Sequence, residues 1–168
     1  MLPIVLTENG HSVGLAGAGE ARECCRRALE AADFAPKPIP SLASPGDLKG
    51  LTALFIAGLP RQAATRLVRQ AKAAGVLVNV EDEPGLCDFF MPAIIRRGDL
   101  LVSVSTSGRA PGLAKLVRQW IERRLGVEWA ERLEEVDRRR LAWRRHGASP
   151  REVSSCTAKL VEERGWLG

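Results

Sequence analysis

The sequence predicts an α/β fold, because short apolar runs alternate with helical runs along its first half. Thr52–Ala57 and Val76–Val80 are mainly apolar runs of strand length, as expected for strands that are buried on both faces. The helical run Gln62–Ala74 connects them, and Gly75 ends it. A helix that joins two such strands indicates a parallel sheet with right-handed crossover connections.

The elements before this unit fit the same sheet. Val13–Ala16 is a strand candidate, and Glu20–Ala32 has the composition of a helix. The apolar run Phe34–Ile39 contains prolines, which donate no backbone hydrogen bond, so we expect a strand there to be short or at an edge. Residues 1–92 are therefore predicted to form one domain around a parallel sheet.

The pattern changes after residue 92. Ala93–Ile95 and Leu100–Val104 flank a basic turn and predict an antiparallel hairpin. Pro111 fits the first turn of a helix that continues to about Leu125. Apolar side chains recur along this helix at the spacing of a core or subunit interface, so residues 93–126 are interpreted as a dimerisation segment of a homodimer. These side chains belong to Leu113, Leu116, Val117, Trp120 and Ile121.

The last part of the chain, residues 127–168, is predicted to be short and helical. Trp129–Arg145 has the composition of one helix, and Pro150–Arg164 that of a second. Ser149 and Glu152 have the spacing of a capping box at the start of the second helix.

Length and composition argue against several classes of protein. With 168 residues and 45% hydrophobic content, the chain can bury the core of a domain of ordinary size. No apolar run approaches the roughly 18–20 residues of a membrane-spanning helix, and the N-terminus lacks the pattern of a secretory signal. We therefore expect a cytoplasmic protein without a membrane partner.

The four cysteines have no metal-binding spacing, so we expect reduced thiols and no zinc site.

The net charge of +5 comes from one region of the chain. From Ile94 to Arg145 there are thirteen Lys and Arg residues against seven Asp and Glu residues. Such a region indicates an anionic partner, although a solvated helix with ion pairs explains the part from 128 to 145. Few aromatic residues lie among the arginines, which argues against stacking on nucleic acid. We expect a polyanionic small molecule.

A glycine turn is the first motif that suggests chemistry. Gly17-Ala18-Gly19 follows a strand and opens a helix, so that the backbone can approach a pyrophosphate and the helix N-terminus can bind it. The alternative is an ordinary glycine turn in an α/β fold.

A carboxylate and a hydroxyl turn are the other two motifs. Asp82 follows the strand Val76–Val80, and open parallel sheets bind ligands beyond the carboxyl ends of their strands. A carboxylate there can accept a proton, bind a metal ion or serve only the loop. Ser105-Thr106-Ser107 precedes the helix that begins near Pro111, where it can bind an anion or cap the helix.

The order of these motifs resembles one enzyme family. Leu2-Pro3-Ile4, Asn79–Asp82, Phe90–Arg96 and Val104–Ala114 match in order and spacing the precorrin-2 dehydrogenase/sirohydrochlorin ferrochelatase module of siroheme synthase. The resemblance implies a Rossmann-like domain, a dimerisation segment and a helical C-terminal part. It also implies NAD-dependent oxidation of precorrin-2 to sirohydrochlorin and, in bifunctional members, insertion of Fe²⁺ to give siroheme.

The resemblance also assigns roles to single residues. Asp82 falls on the family's key aspartate, which is proposed to remove a proton and to handle the metal. Thr106 falls where a family serine lies beside the tetrapyrrole, while Glu20 and Ala21 correspond to residues that contact NAD after Gly17 and Gly19. The tetrapyrrole carries many carboxylates, which favours an arginine-rich surface. The candidates to bind it are Ser105, Arg96, Arg97, Arg109 and Arg118.

The chain departs from the usual family pattern on the nucleotide side. Arg22 occupies a position that is usually small, and Leu59-Pro60 replaces a polar turn after the third strand. The alternative function is therefore a divergent tetrapyrrole-binding protein without redox activity, or a ferrochelatase alone.

Overall fold

The alternating runs of the first half and the hairpin of the second half fold into separate units of the chain. The computed structural model describes residues 2–167. Unit 1 contains the residues up to 91 together with 107–109, and unit 2 contains 92–106 and the residues from 110 onward. The short turn 107–109 thus belongs to the unit of the parallel sheet, although the segments on both sides of it belong to the other unit.

Unit 1 is a parallel four-stranded sheet with helices, which confirms the predicted α/β class. The strand order is β2-β1-β3-β4, and every neighbouring pair is parallel. The proline-containing strand β2 is short and lies at one edge, as expected. The elements are β1 (Val13–Gly17), α1 (Gly19–Glu30), β2 (Lys37–Ile39), α2 (Pro45–Leu48), β3 (Ala53–Ala57), α3 (Arg61–Ala73), β4 (Leu77–Val80) and a 3₁₀ turn (Pro84–Leu86).

Strand β3 is buried on both faces, which explains its continuous apolar sequence. Leu54 and Ile56 pack in one core cluster with residues of α3 such as Leu67. Phe55 packs in the opposite cluster with Leu29 of α1. The two clusters hold helices against both faces of the sheet, so the carboxyl ends of the central strands have fixed positions.

The winding of the chain changes direction between β1 and β3. From β1 the chain continues to β2 at one edge of the sheet, and from β3 it continues to β4 at the opposite edge. The carboxyl ends of β1 and β3 therefore form the topological switch point, where open α/β sheets bind ligands.

Unit 2 contains the predicted hairpin and three helices. β5 (Ala93–Arg97) and β6 (Leu100–Val104) pair antiparallel, and α4 (Pro111–Glu122) packs against both strands through the buried Ala114. Helix α4 ends three residues earlier than the sequence predicts. Arg123 keeps helical dihedrals, but the amide of Arg124 donates to the carbonyl of Ile121, only three residues back.

The two C-terminal helices of unit 2 are α5 (Trp129–Arg145) and α6 (Pro150–Glu163). The rings of Trp129 and Trp166 meet edge to face at 6.4 Å, and the guanidinium of Arg132 lies 4.8 Å from the Trp129 ring. Ser149 and Glu152 form the predicted capping box of α6. Across residues 2–167, no helix is both long and apolar enough to cross a membrane.

Two glycines allow the strand ends to meet at the switch point. A Cβ atom on Gly17 would lie 1.7 Å from the carbonyl oxygen of Ala57, and one on Gly58 would lie 2.1 Å from that of Ala18. The amide of Ala18 donates a hydrogen bond to Ala57 at 3.3 Å. No other residue fits either glycine position without moving the backbone.

We expect Gly58→Ala to destabilise unit 1 by about 3 kcal/mol or more, because it adds a backbone clash to the cost of a positive φ. Gly75→Ala is the matched control, since φ is +73° there and +69° at Gly58, but no atom lies within 4 Å of the added Cβ at Gly75. The control should lose only about 1 kcal/mol.

Urea unfolding followed by circular dichroism measures both variants, because all four tryptophans lie in unit 2 and their fluorescence does not follow the sheet. Equal losses of stability in the two variants would contradict the close approach at Gly58.

Candidate functional site

The glycine turn leaves the N-terminus of α1 open. Gly19 has a φ of +71°, and a Cβ atom added to it would meet no atom within 4 Å. The N-cap residue Ala18 makes no side-chain hydrogen bond to the helix. The first N–H groups of α1 therefore face open space at the positive end of the helix dipole, which fits a pyrophosphate. Glu20 and Ala21, the predicted cofactor contacts, form the first turn.

Arg22 lies beside the face of α1 that packs on the sheet. Leu29 is buried in the core cluster, Cys25 packs against the same cluster, and Ala21 lies one turn earlier on that face. Arg22 is half-buried one position away, so its size does not prevent the helix from packing.

Cys25 is a packing residue. Burial, with the nearby Cys24 and Glu81 as smaller causes, raises the pKa of the Cys25 thiol to about 11. The thiol therefore stays protonated at neutral pH and is not poised as a nucleophile or metal ligand.

Asp82 lies directly beyond the carboxyl end of β4, in the same unit as the glycine turn. Its side chain is exposed, and its backbone has a φ of +55°. With Gly58, Leu59 and Glu83 it lines a small cleft between the loops that follow β3 and β4. Arg61 closes one side of this cleft through an ion pair with Glu83 at 3.4 Å.

Glu81 ties these two loops together, through a partner that its position in the sequence does not predict. Its carboxylate accepts a hydrogen bond from the amide of Gly58 at 3.0 Å, and its own amide donates to the carbonyl of Ile56 at 2.9 Å. Only the proximity of Glu81 to the end of its strand hinted at this contact, because the partner lies 23 residues away.

The Leu59-Pro60 turn, which departs from the usual family pattern, forms the start of α3. Leu59 packs partly against the first core cluster, and Pro60 is the N-cap of the helix. The position that is polar in the family pattern thus serves packing in this chain.

The hydroxyl turn is held by local contacts. Thr106 accepts a hydrogen bond from the amide of Ala110 at 3.1 Å, which fixes the approach to α4. Ser107 and Gly108 both have positive φ, and the ring of Phe90 lies 3.1 Å from the place of a Cβ on Gly108. Ser105 is exposed. The contact of Ser105 and Thr106 with a tetrapyrrole stays a prediction.

The four candidate arginines differ in their surroundings. The Nε of Arg97 donates to the carbonyls of Leu125 and Gly126, at 2.9 and 3.1 Å, just beyond the C-terminal end of α4. Arg118 forms an ion pair with Glu122 within that helix. The side chains of the other two, Arg96 and Arg109, are exposed.

Asp82 has no cluster of metal-ligating neighbours. Among residues 2–167, no three His, Cys, Asp or Glu side chains lie close enough together to hold a metal ion. The role of Asp82 in metal handling stays a prediction.

Two family models match most of the chain. Residues 6–93 match the family described as putative NAD(P)-binding, and residues 97–124 match the one described as sirohaem biosynthesis protein central. The chain belongs to this NAD(P)-binding family. The matches confirm its resemblance to the N-terminal module of siroheme synthase.

Siroheme synthases are also among the proteins with similar sequences. That of Ectopseudomonas mendocina (strain ymp) is 35% identical over 111 residues, which are 58% of this chain and 24% of that protein. Siroheme synthase 1 of Aeromonas salmonicida (strain A449) is 35% identical over 141 residues, which are 72% of this chain and 30% of that protein. The chain thus spans less than a third of the length of these curated relatives.

A solved structure of SirC, precorrin-2 dehydrogenase, has a similar fold. It matches with a TM-score of 0.76 over 100% of this chain and 93% of that chain, at 18% sequence identity. The match confirms the Rossmann-like fold.

The neighbouring residues Arg96 and Arg97 allow a test of the structural role of the Arg97 hydrogen bonds. We expect Arg97→Gln to lower the free energy of unfolding of unit 2 by about 1–2 kcal/mol, because it removes charged hydrogen bonds at a helix C-terminus. Arg96→Gln, at an exposed position on the same strand, should change it by less than about 0.5 kcal/mol. Tryptophan fluorescence during urea unfolding reports this unit. Equal effects would refute the capping role of Arg97.

Proposed function

We propose that this protein oxidises precorrin-2 to sirohydrochlorin with NAD⁺ as the hydride acceptor, as a step of siroheme biosynthesis. The observation that carries the proposal is the switch point of the sheet. There Gly17 and Gly58 bring two strand ends into backbone contact, and Gly19 leaves the N-terminus of α1 open. Asp82 supplies a carboxylate beyond the end of β4, in the same unit.

The turn Gly17–Ala21 is the proposed nucleotide site. Bound there, the pyrophosphate accepts hydrogen bonds from the N–H groups of α1. The residues that follow β2, from Pro40 to Ser44, include neither an acid for a ribose hydroxyl pair nor a base for a 2′-phosphate. The choice of NAD⁺ over NADP⁺ therefore rests on the family resemblance and not on this loop.

Asp82 is the proposed catalytic residue. The reaction converts precorrin-2 and NAD⁺ to sirohydrochlorin, NADH and a proton. NAD⁺ supplies the acceptor for the hydride. A carboxylate oxygen of Asp82 takes the accompanying proton, and its exposure allows that proton to pass to solvent.

Arginines and hydroxyl groups are the proposed contacts of the anionic tetrapyrrole. The exposed Arg96 and Arg109 can donate to its carboxylates without losing a structural contact seen in the described chain. The hydroxyl turn places Ser105 and Thr106 before α4. Arg97 and Arg118 lie in unit 2 with Arg96 and add positive charge there, which attracts a polyanion over a longer range.

A homodimer is the proposed assembly, and α4 is its proposed interface. The side chains of Leu113, Leu116, Val117 and Trp120 are between 37% and 63% exposed, and their spacing places them along one side of the helix. An apolar stripe of this size on a charged surface is typical of an interface.

Anaerobic incubation with precorrin-2 and NAD⁺ tests the function. We expect the absorbance of sirohydrochlorin and of NADH to rise together in equal amounts. Binding of the tetrapyrrole without NADH formation would contradict the proposal and would favour the redox-inactive alternative. Adding Fe²⁺ to the product measures the second predicted step, insertion of the metal.

We expect Asp82→Asn to lower kcat at least about 100-fold, because the amide cannot accept the proton, while the affinity for NAD⁺ is kept. Asp33→Asn is the matched control, since Asp33 also has a positive φ, +64° against +55° at Asp82, but lies in the turn between α1 and β2. Turnover by the Asp82 variant at the rate of the control would remove Asp82 from the mechanism.

A further inference from the structure

The loop that carries Asp82 is closed at its base by a thiol. The Sγ atom of Cys87 accepts a hydrogen bond from the amide of Val80 at 3.2 Å. The same atom lies 3.2 Å from the carbonyl oxygen of Val80 and 3.4 Å from that of Glu83, and its single proton is donated toward these acceptors. The thiol thus bonds to the chain on both sides of Asp82.

Cys87 occupies the place that a neighbouring strand would take beside β4. On the inner side of β4, Glu81 donates to the carbonyl of Ile56 in β3. On the outer side, the amide of Val78 donates to the carboxylate of Asp88 at 3.1 Å, and the next outward amide, that of Val80, donates to Cys87. Side chains therefore accept the hydrogen bonds of the outward-facing amides of β4, up to the residue where the loop begins.

The contacts that fix Asp82 are made by its neighbours. Before it, Glu81 is held to the loop after β3 through the amide of Gly58. After it, the amide of Glu83 donates to the carbonyl of Val80 at 3.4 Å. The carbonyl of Glu83 accepts from the amide of Leu86 at 2.9 Å and from the thiol of Cys87 at 3.4 Å. Asp82 lies between these two anchors with a positive φ, a conformation that is uncommon for residues other than glycine, although Asp and Asn adopt it most often among them.

We propose that Cys87 is a positioning residue, whose thiol holds the turn 80–83 so that the Asp82 carboxylate keeps its place for proton removal. The inference rests on the proposed function, because it assigns Asp82 the catalytic proton transfer. Cys87 acts through the backbone and does not itself contact substrate or cofactor.

The kinetic test compares two substitutions at this position. We expect Cys87→Ala to lower kcat about tenfold, because small displacements of a reacting group cost one to two orders of magnitude, while the KM for NAD⁺ changes less than twofold. Cys87→Ser should recover most of the rate, since a hydroxyl also accepts from Val80 and donates to a carbonyl. Cys156→Ala is the control, because this half-buried cysteine lies in α6 of the other unit.

Two kinetic outcomes would overturn the proposal. One is an unchanged kcat in the folded Cys87→Ala protein. The other is an equal loss in the Ala and Ser variants that follows only the fraction of folded protein, which is the behaviour of a residue with a general structural role.

Amide hydrogen exchange gives a readout that does not depend on turnover. Cys87→Ala should increase exchange at Val80 at least about tenfold, because its hydrogen bond is lost, and should leave Val78 unchanged. Equal exchange in parent and variant would refute the anchor. A parent protein that does not oxidise precorrin-2 would refute the proposed function, and exchange alone would then decide whether Cys87 holds the loop.

Discussion

The backbone contact between the ends of β1 and β3 is the constraint on which the site depends. At this point the last residue of β1 and the first residue after β3 lie so close to the neighbouring backbone that neither Gly17 nor Gly58 has room for a Cβ atom. The contact places the start of α1 and the start of the β3–α3 loop side by side at the switch point. Because β4 pairs with β3, the loop that carries Asp82 is fixed relative to the same contact.

The anchors around this contact differ in kind. Burial of β3 on both faces fixes the strand ends through apolar packing. Beyond those ends, hydrogen bonds hold the loops in place. Glu81 joins the loops after β3 and β4, and Cys87 closes the loop after β4. A rigid sheet with hydrogen-bonded loops at one edge is the arrangement that a positioned carboxylate requires.

The sequence predicted the fold well, because burial leaves a pattern within each element. The continuous run Thr52–Ala57 indicated a strand with two buried faces, and the prolines near Ile39 indicated a short edge strand. The four-residue helix α2 and the 3₁₀ turn were not predicted, since elements this short show no periodicity.

The site was less accessible to sequence reasoning. The glycine turn and Asp82 could be placed at strand ends because those positions follow from the strand pattern. The contacts of Glu81 and Cys87 depend on partners that the fold brings together, so no pattern in the sequence predicts them. Arg97 was selected for its charge alone, and only its contacts beyond α4 revealed a capping role. Charge in a sequence shows which residues can bind an anion, but not which of them already donate hydrogen bonds to backbone carbonyls.

Calorimetric titration with NAD⁺ tests the central claim, that the switch point is a dinucleotide site, most directly. The parent protein should bind NAD⁺, and Gly19→Ala should weaken binding about tenfold or more, because its methyl group enters the space left for the pyrophosphate. Gly75→Ala adds the same group at a similar φ before the amino end of β4, away from the carboxyl ends of the strands, and should bind as the parent does. No binding by the parent, or equal binding by all three proteins, would contradict the account.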